Sequence, residues 1–306
     1  MSKLTRRGVL AGSAAIATAS FGVQVRAAPE AQKITPALIE AAKKEGKLSW
    51  YTSVDLPVAE KIAKAFEAAY PGLSMKVERS GAERIYQRIG QEAQSRIYNC
   101  DVVNSSDAAH LIIWKREKML ASYLPEEVAR HYPKEHWDAD GMYASWRVTL
   151  SPIAYNTSLV KAEEAPKGFR DLLDAKWSGK IVKAHPGYSG TIMTATQQLS
   201  RDLGWDYFDK LSKQKVMQVQ SAADPPKKVS AGERAVMADG TEYMVNLLQT
   251  RGEPIAEVYA VEGTPLVTGP SAVMARAPNP NAARLFYAWS MSADLDIHLL
   301  GLGAHR

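Results

Sequence analysis

From residue 48 onward the chain changes hydrophobic rhythm at short, regular intervals. Residues 48–52 (Leu-Ser-Trp-Tyr-Thr) form an apolar run of strand length, and Val58, Ala59, Ile62, Ala63, Phe66, Ala69 and Tyr70 then recur three and four apart until Pro71-Gly72. That spacing lines one face of a helix, and the Pro-Gly pair ends it. Residues 73–77 predict a second strand, 82–95 a second helix and 101–104 a third strand. A β-α-β-α-β order builds a parallel sheet flanked by helices, because the crossovers between parallel strands are right-handed. Ligands bind such sheets at the carboxyl ends of the strands. Here those ends read Thr52-Ser53-Val54-Asp55, Arg79-Ser80-Gly81 and Ser105-Ser106-Asp107, polar segments that serve equally well as helix N-caps.

The second half repeats the scheme. Residues 143–156 alternate as one long strand with Arg147, Thr149, Ser151, Ile153 and Tyr155 on one face. Residues 181–184 predict a strand, 185–191 a turn and 192–203 a helix; 232–240 pass through a buried stretch into a helix over 242–250. A strand over 271–276 and a helix over 282–291 are expected to return to the first unit. The pattern gives an α/β fold of two doubly wound lobes.

Composition leaves this picture standing: 306 residues, 46% hydrophobic and 23% charged, describe a globular chain of about two domains' length. The net charge of +5 would point to an acidic partner such as nucleic acid, but Lys3, Arg6, Arg7 and Arg26 fall within residues 1–27, which hold no acid. Without them the balance falls to +1, and no nucleic-acid partner is expected. The segment 1–27 has paired arginines, a small-residue apolar run over 9–23 and Val25-Arg26-Ala27 before Ala28-Pro29. It reads as a cleaved export signal of the twin-arginine type, too short and too rich in Ala, Gly and Ser for a membrane span. The single cysteine, Cys100, lies in an apolar stretch and is expected to be a small buried hydrophobe.

The turn His185-Pro186-Gly187-Tyr188-Ser189-Gly190-Thr191 carries the most chemistry. A strand leading through Ser-Gly-Thr into a helix gathers unpaired N–H groups, the positive end of the helix dipole and two hydroxyls, which is an anion site. Gly190, having no Cβ, lets an oxyanion approach the backbone. Enzyme motifs fail. Thr191 stands where a nucleophile elbow needs Gly, Pro133 breaks the spacing that His131, Glu135 and His136 would need as metal ligands, and Asp138 with Asp140 makes only a fragment of a calcium loop. Gly179-Lys180 lacks the upstream Gly of a phosphate loop, so the chain is not read as an enzyme.

Leu48-Ser49-Trp50-Tyr51-Thr52-Ser53, Cys100-Asp101-Val102-Val103, Ile153-Ala154-Tyr155-Asn156, Ala175-Lys176-Trp177-Ser178-Gly179-Lys180-Ile181, Ser189-Gly190-Thr191 and Ala231-Gly232-Glu233 follow one another in an order that resembles the periplasmic solute-binding proteins of ABC importers. The likeness is to their type II class, which includes ferric-ion binders and sugar-phosphate or phosphonate binders. It implies two lobes joined by a strand hinge: residues 28–147 as lobe 1, 148–262 as lobe 2 and 263–306 returning to lobe 1. It also implies a soluble periplasmic monomer without cofactor that holds a small anionic solute in the cleft and docks, closed, on the membrane subunits of an ABC permease. Ser189, Gly190 and Thr191 match the residues that hold the anion in relatives, and Arg147 lies near an anion-binding Arg. Thr52, Ser53, Ser80, Ser106 and Asp107 are the candidates from the first lobe, and Tyr188, Glu242 and Tyr243 from the second. For ferric binders the matching positions fall on Asp55, Ser106 with Asp107, and Glu242-Tyr243. One phenolate remains of their Tyr pair, so the metal alternative rests on Asp55, Glu242 and Tyr243. An exported hydrolytic enzyme on the same scaffold is the remaining alternative. The chain also ends sooner than most such relatives.

Overall fold

The computed structural model describes residues 29–292. It opens with α1 (Pro36–Glu45), β1 (Lys47–Thr52), α2 (Leu56–Ala69), β2 (Ser74–Arg79), α3 (Ala82–Gln94), β3 (Val102–Asn104), α4 (Ala108–Arg116), α5 (Glu126–His131) and β4 (Ala144–Leu150). There follow β5 (Ile153–Asn156), β6 (Ile181–Ala184), α6 (Gly190–Leu203), α7 (Trp205–Ser212), β7 (Met217–Val219), α8 (Asp224–Ser230), β8 (Val236–Met237), α9 (Glu242–Thr250) and β9 (Ile255–Val258). The chain closes with β10 (Leu266–Val273) and α10 (Pro280–Ser290). The strands form two five-stranded sheets, ordered β2-β1-β3-β10-β4 and β7-β6-β8-β5-β9. In the first, β1 pairs in parallel with β2 and β3, and β10 runs antiparallel between β3 and β4. In the second, β6 pairs in parallel with β7 and β8, while β5 is antiparallel to β8 and β9.

Each sheet is a middle layer because its strands are apolar on both faces. On β1, Leu48 and Trp50 point into a core with Phe66 of α2, Phe286 of α10 and Ala42 of α1. Tyr51 points the other way, toward Ile85 and Ile89 of α3 and Leu111 and Trp114 of α4. The Trp50 ring meets Phe286 and Trp146 edge-on, at centroid distances of 5.3 and 5.6 Å, the geometry that aromatic quadrupoles favour. The second sheet repeats this. Ile153, Ile181 and Val236 pack against α6 and α7, whereas Ala154, Val182 and Met237 pack against α8 and α9.

The single strand expected over 143–156 is two strands in different sheets. Pro152 offers no N–H to a ladder, and the Ser151-Pro152 pair carries the chain out of the first sheet, where Val148, Thr149 and Leu150 still pair with β10, into the second. The Ser151 N–H donates to Pro265 O at 2.9 Å, so the outgoing and returning segments lie side by side as a double crossing. The returning strand starts earlier than the expected 271–276, at Leu266, and shifts register between Gly269 and Pro270, opposite Arg147. Cys100 is buried, as expected, with its thiol 3.3 Å from Val102 O. The predicted export signal over 1–27 and the chain end beyond 292 lie outside the described residues. No described helix is long and apolar enough to cross a membrane.

Candidate functional site

The carboxyl ends of the two sheets face each other across a cleft. Lobe 1 contributes Ser53, which follows β1, Arg79 at the end of β2, Gly81 and Ala82 where α3 starts, Ser106 after β3, and Arg147 on β4. Lobe 2 contributes Tyr188, Ser189 and Thr191 around the start of α6, Ser221 to Ala223 before α8, and Thr241 and Tyr243 where α9 starts. Four helices thus begin at this cavity, and the first N–H groups of a helix have no partner within it. Among the described residues no carboxylate lines it.

The two lobes touch here. A Cβ on Gly190 would lie 2.9 Å from both Ala82 Cβ and Asp107 Cβ, and one on Gly81 would lie 2.4 Å from Tyr188 O. A glycine on each side of the cleft is what permits so close an approach. Ser189 caps α6 with its hydroxyl, accepting from Ile192 N at 3.4 Å. Across the cleft, Arg79 Nη2 donates to Ser221 Oγ at 2.9 Å and Arg84 Nη2 to Gln220 Oε1 at 2.8 Å, and Lys227 Nζ stands 3.3 Å from Asp55 Oδ1.

The electrostatics are lopsided. Arg79 Nε donates to Val54 O at 3.2 Å and Arg147 Nη2 to Ser53 Oγ at 3.4 Å; among the described residues neither guanidinium forms an ion pair. Arg147 Nε is buried with no partner, and its guanidinium carbon lies 6.0 Å from the centre of the Tyr243 ring. Burial holds Arg147 below the ordinary arginine value; Tyr243 opposes the shift and the like charge of Arg79 adds to it. Thr241 Oγ1 is also buried without a hydrogen-bond partner. Two unpaired donors, and two guanidinium groups without an acidic partner among the described residues, therefore belong to residues that line one small cavity.

Of the candidates read from sequence, Ser53, Ser106, Arg147, Tyr188, Ser189, Thr191 and Tyr243 line the cavity, and Gly190 forms the lobe contact beside it. The others stand behind. Thr52 is fully buried, its hydroxyl donating to Asn104 Oδ1 and accepting from Val54 N. Asp107 caps α4, accepting from Ala109 N at 2.9 Å. Ser80 binds Thr52 O through its N–H, while its neighbours Arg79 and Gly81 line the cavity, as alternation along an extended segment requires. Arg79, Ser221 and Thr241 are the polar side chains of the lining that sequence reasoning missed. Arg79 was marked by its place at the end of a strand, and Thr241 by its place just before a helix.

The carboxylates of the metal alternative are engaged elsewhere. Asp55 faces Lys227, and Glu242 accepts from Tyr259 Oη at 2.6 Å and from Leu150 N at 3.3 Å, leaving only Tyr243 on the cavity. Glu83, Asp107 and His110 bring ligand-type atoms within 4.8 Å of one another behind the cleft. Their hydrogen bonds close without a cation. Ser105 Oγ accepts from Asp107 N and lies 2.9 Å from His110 Nδ1, and His110 Nε2 lies 3.2 Å from Glu83, so each ring nitrogen has a protein partner. A larger hollow of about 530 Å³, lined by Leu159, Trp177, Lys180, Arg234 and their neighbours, belongs to lobe 2 alone and shares no residue with the cleft.

A family model for bacterial extracellular solute-binding proteins matches residues 61–300. A probable ABC transporter periplasmic-binding protein, y4fP of Sinorhizobium fredii, is 24% identical over 243 residues. The match covers 76% of this chain and 66% of that relative, just under two thirds of its length. Among solved structures, the periplasmic binding protein AfuA of Actinobacillus pleuropneumoniae, with exogenous fructose-6-phosphate bound, has a TM-score of 0.75 at 25% identity, covering 81% of this chain and 80% of that one. Iron-bound HitA of Pseudomonas aeruginosa has a TM-score of 0.69 at 22% identity, covering 81% of each, a likeness of fold.

Proposed function

The chain belongs to the bacterial extracellular solute-binding protein family, and from that premise we propose that it is the periplasmic binding component of an ABC importer for a small oxyanion-bearing solute. The solute carries a phosphate, phosphonate or carboxylate group. The observation that carries this reading is the pair of arginines, Arg79 and Arg147, facing a cavity without a single carboxylate in its wall. A half-buried guanidinium gains from an anionic partner, and in this reading the partner that the protein does not supply is supplied by the ligand. Ser189, Gly190 and Thr191 add the helix start, and Ser53, Ser106 and Tyr243 add neutral contacts. Thr52, Ser80, Asp107 and Glu242 support these groups from behind.

Closure follows from the geometry. A ligand that touches Arg79 and Arg147 from one lobe and the α6 start from the other gains all its contacts only when the lobes meet, so its binding shifts the population toward the closed form. That form, a monomer without cofactor, is what the permease subunits would engage after export by the twin-arginine route. AfuA, similar in fold and itself a phosphate-ester complex, supports the oxyanion class. The test is calorimetry on the purified protein with phosphate, methylphosphonate, a sugar phosphate, acetate and citrate. At least one of these anions is expected to bind in the micromolar range. If all stay weaker than millimolar while ferric ion binds and produces a phenolate charge-transfer colour, the oxyanion reading is overturned.

A further inference from the structure

The same cavity says more about its occupant than the presence of an anionic oxygen, on the premise that the oxyanion reading holds. We infer that the ligand is a compact tetrahedral dianion, of the size of phosphate, methylphosphonate or sulfate, gripped by Arg79 and Arg147 together, with no room for an extended carbon skeleton when the lobes are shut.

Charge gives the first part. Two guanidinium groups face the cavity, and neither forms an ion pair among the described residues. They sense each other, for the positive charge of Arg79 adds to the depression of Arg147 that burial begins. A dianion neutralises both. A single carboxylate leaves one guanidinium uncompensated in a half-buried site, and a cation adds to the repulsion.

Size gives the second part. The closed cleft leaves about 20 Å³ for the centre of a water-sized sphere. A round hollow with that freedom has a radius of roughly 3 Å once the sphere's own radius is added, which is one bond plus one oxygen atom measured outward from a central phosphorus or sulfur. Its walls meet where Gly81 faces Tyr188 O and where Gly190 faces Ala82 and Asp107, so extra volume requires the lobes to part.

Direction gives the third part. The donors come from separate elements: the Arg79 side chain from β2, the Arg147 side chain from β4, Thr241 Oγ1 ahead of α9, and the first amides of α6. Donors converging from several sides suit oxygens disposed tetrahedrally better than the two coplanar oxygens of a carboxylate.

The experiment is a competition panel on the purified full chain, freed of co-purified solute by unfolding and refolding. Calorimetry is run with sodium phosphate, methylphosphonate, sulfate, glycerol 3-phosphate, glucose 6-phosphate and acetate. At least one of the first three is expected to bind about 10-fold or more tighter than either ester, and about 100-fold or more tighter than acetate. Which of the three ranks first distinguishes phosphate, phosphonate and sulfate as sources. Arg79→Gln and Arg147→Gln are each expected to weaken that dianion by about 100-fold and to shrink its advantage over acetate, without lowering the ligand-free thermal midpoint. If one variant fails to fold, the wild-type ranking decides alone. An ester that binds as tightly as the compact ions overturns the size inference and leaves the oxyanion reading intact. Acetate binding as tightly overturns the dianion inference. Binding of none of the anions overturns both inferences and the reading beneath them.

Discussion

A buried hydroxyl without a partner destabilises the fold that contains it, and Thr241 Oγ1 is such a group, at the cavity wall just ahead of α9. Its backbone is fully used: the N–H donates to Ala222 O, and the carbonyl accepts from Met244 and Val245. Thr241→Val, nearly isosteric, removes only the hydroxyl. We expect the ligand-free protein to gain about 1 kcal/mol in urea denaturation, and the affinity for the bound anion to fall by roughly tenfold in calorimetry. Opposite signs in the two measurements would mark the hydroxyl as serving the ligand rather than the fold. Asp101 shows the converse. It sits within one of the segments that carried the family likeness, yet it accepts from Ser49 N, Asn279 N and Asn279 Nδ2 and so ties β1 to the chain just before α10. Its neighbours on the page of the sequence say nothing of that, because the partners lie at both ends of the chain.

At the scale of elements, the start of α6 is the proposed ligand anchor and also a lobe contact. Gly190→Ala leaves the helix intact, since Ala is the better helix former, but its methyl meets Ala82 and Asp107 of the opposite lobe at 2.9 Å. Thermal stability of the free protein is expected to hold while affinity falls by roughly tenfold or more, because closure is what the methyl obstructs. The helices and strands with a clear period were legible: β6 and α9 fall where the sequence puts them, as do the buried face of α2 and the span of α3. Of the elements not assigned from the sequence, three have clear physical reasons. β7 and β8 have three and two residues, too few to show alternation. The Pro225-Pro226 pair of α8 reads as a breaker, although the first turn of a helix tolerates proline because its N–H groups are unpaired there. In the cleft, Ser189 to Thr191 was legible from strand, glycine and helix in succession. Arg79 was not singled out, because β2 runs two residues beyond its predicted end and turns that side chain toward the cavity.

For the whole molecule, the hinge is where the lobes communicate, and it carries acid groups of its own. Glu242 accepts from Leu150 N, just before one crossing, and from Tyr259 Oη, just before the other. The same hydroxyl lies 3.1 Å from Glu257 Oε1. Burial raises Glu257 above the ordinary carboxylate value, Tyr259 opposes the shift, and the charge of Glu242 adds to it. The folded chain therefore holds this proton more tightly than the unfolded chain. The stabilisation is complete below the ordinary carboxylate value and is lost as pH rises through the elevated one. Urea midpoints measured across that range are expected to decline less steeply with pH in Glu257→Gln than in the wild type; equal slopes would remove Glu257 from the hinge's pH response.

The order of strands in the first sheet also decides when each half of the molecule can be completed. β10, from the far end of the chain, occupies the slot between β3 and β4, and α10 packs on α1 beside it. The second lobe, by contrast, is one uninterrupted stretch of chain. On a ribosome that releases the chain from its amino end, the second lobe has all its strands while the first still has a gap in its middle. The lobe that begins synthesis is the last to zip shut, and a chain cut short before Leu266 would leave β4 without its partner strand in the sheet.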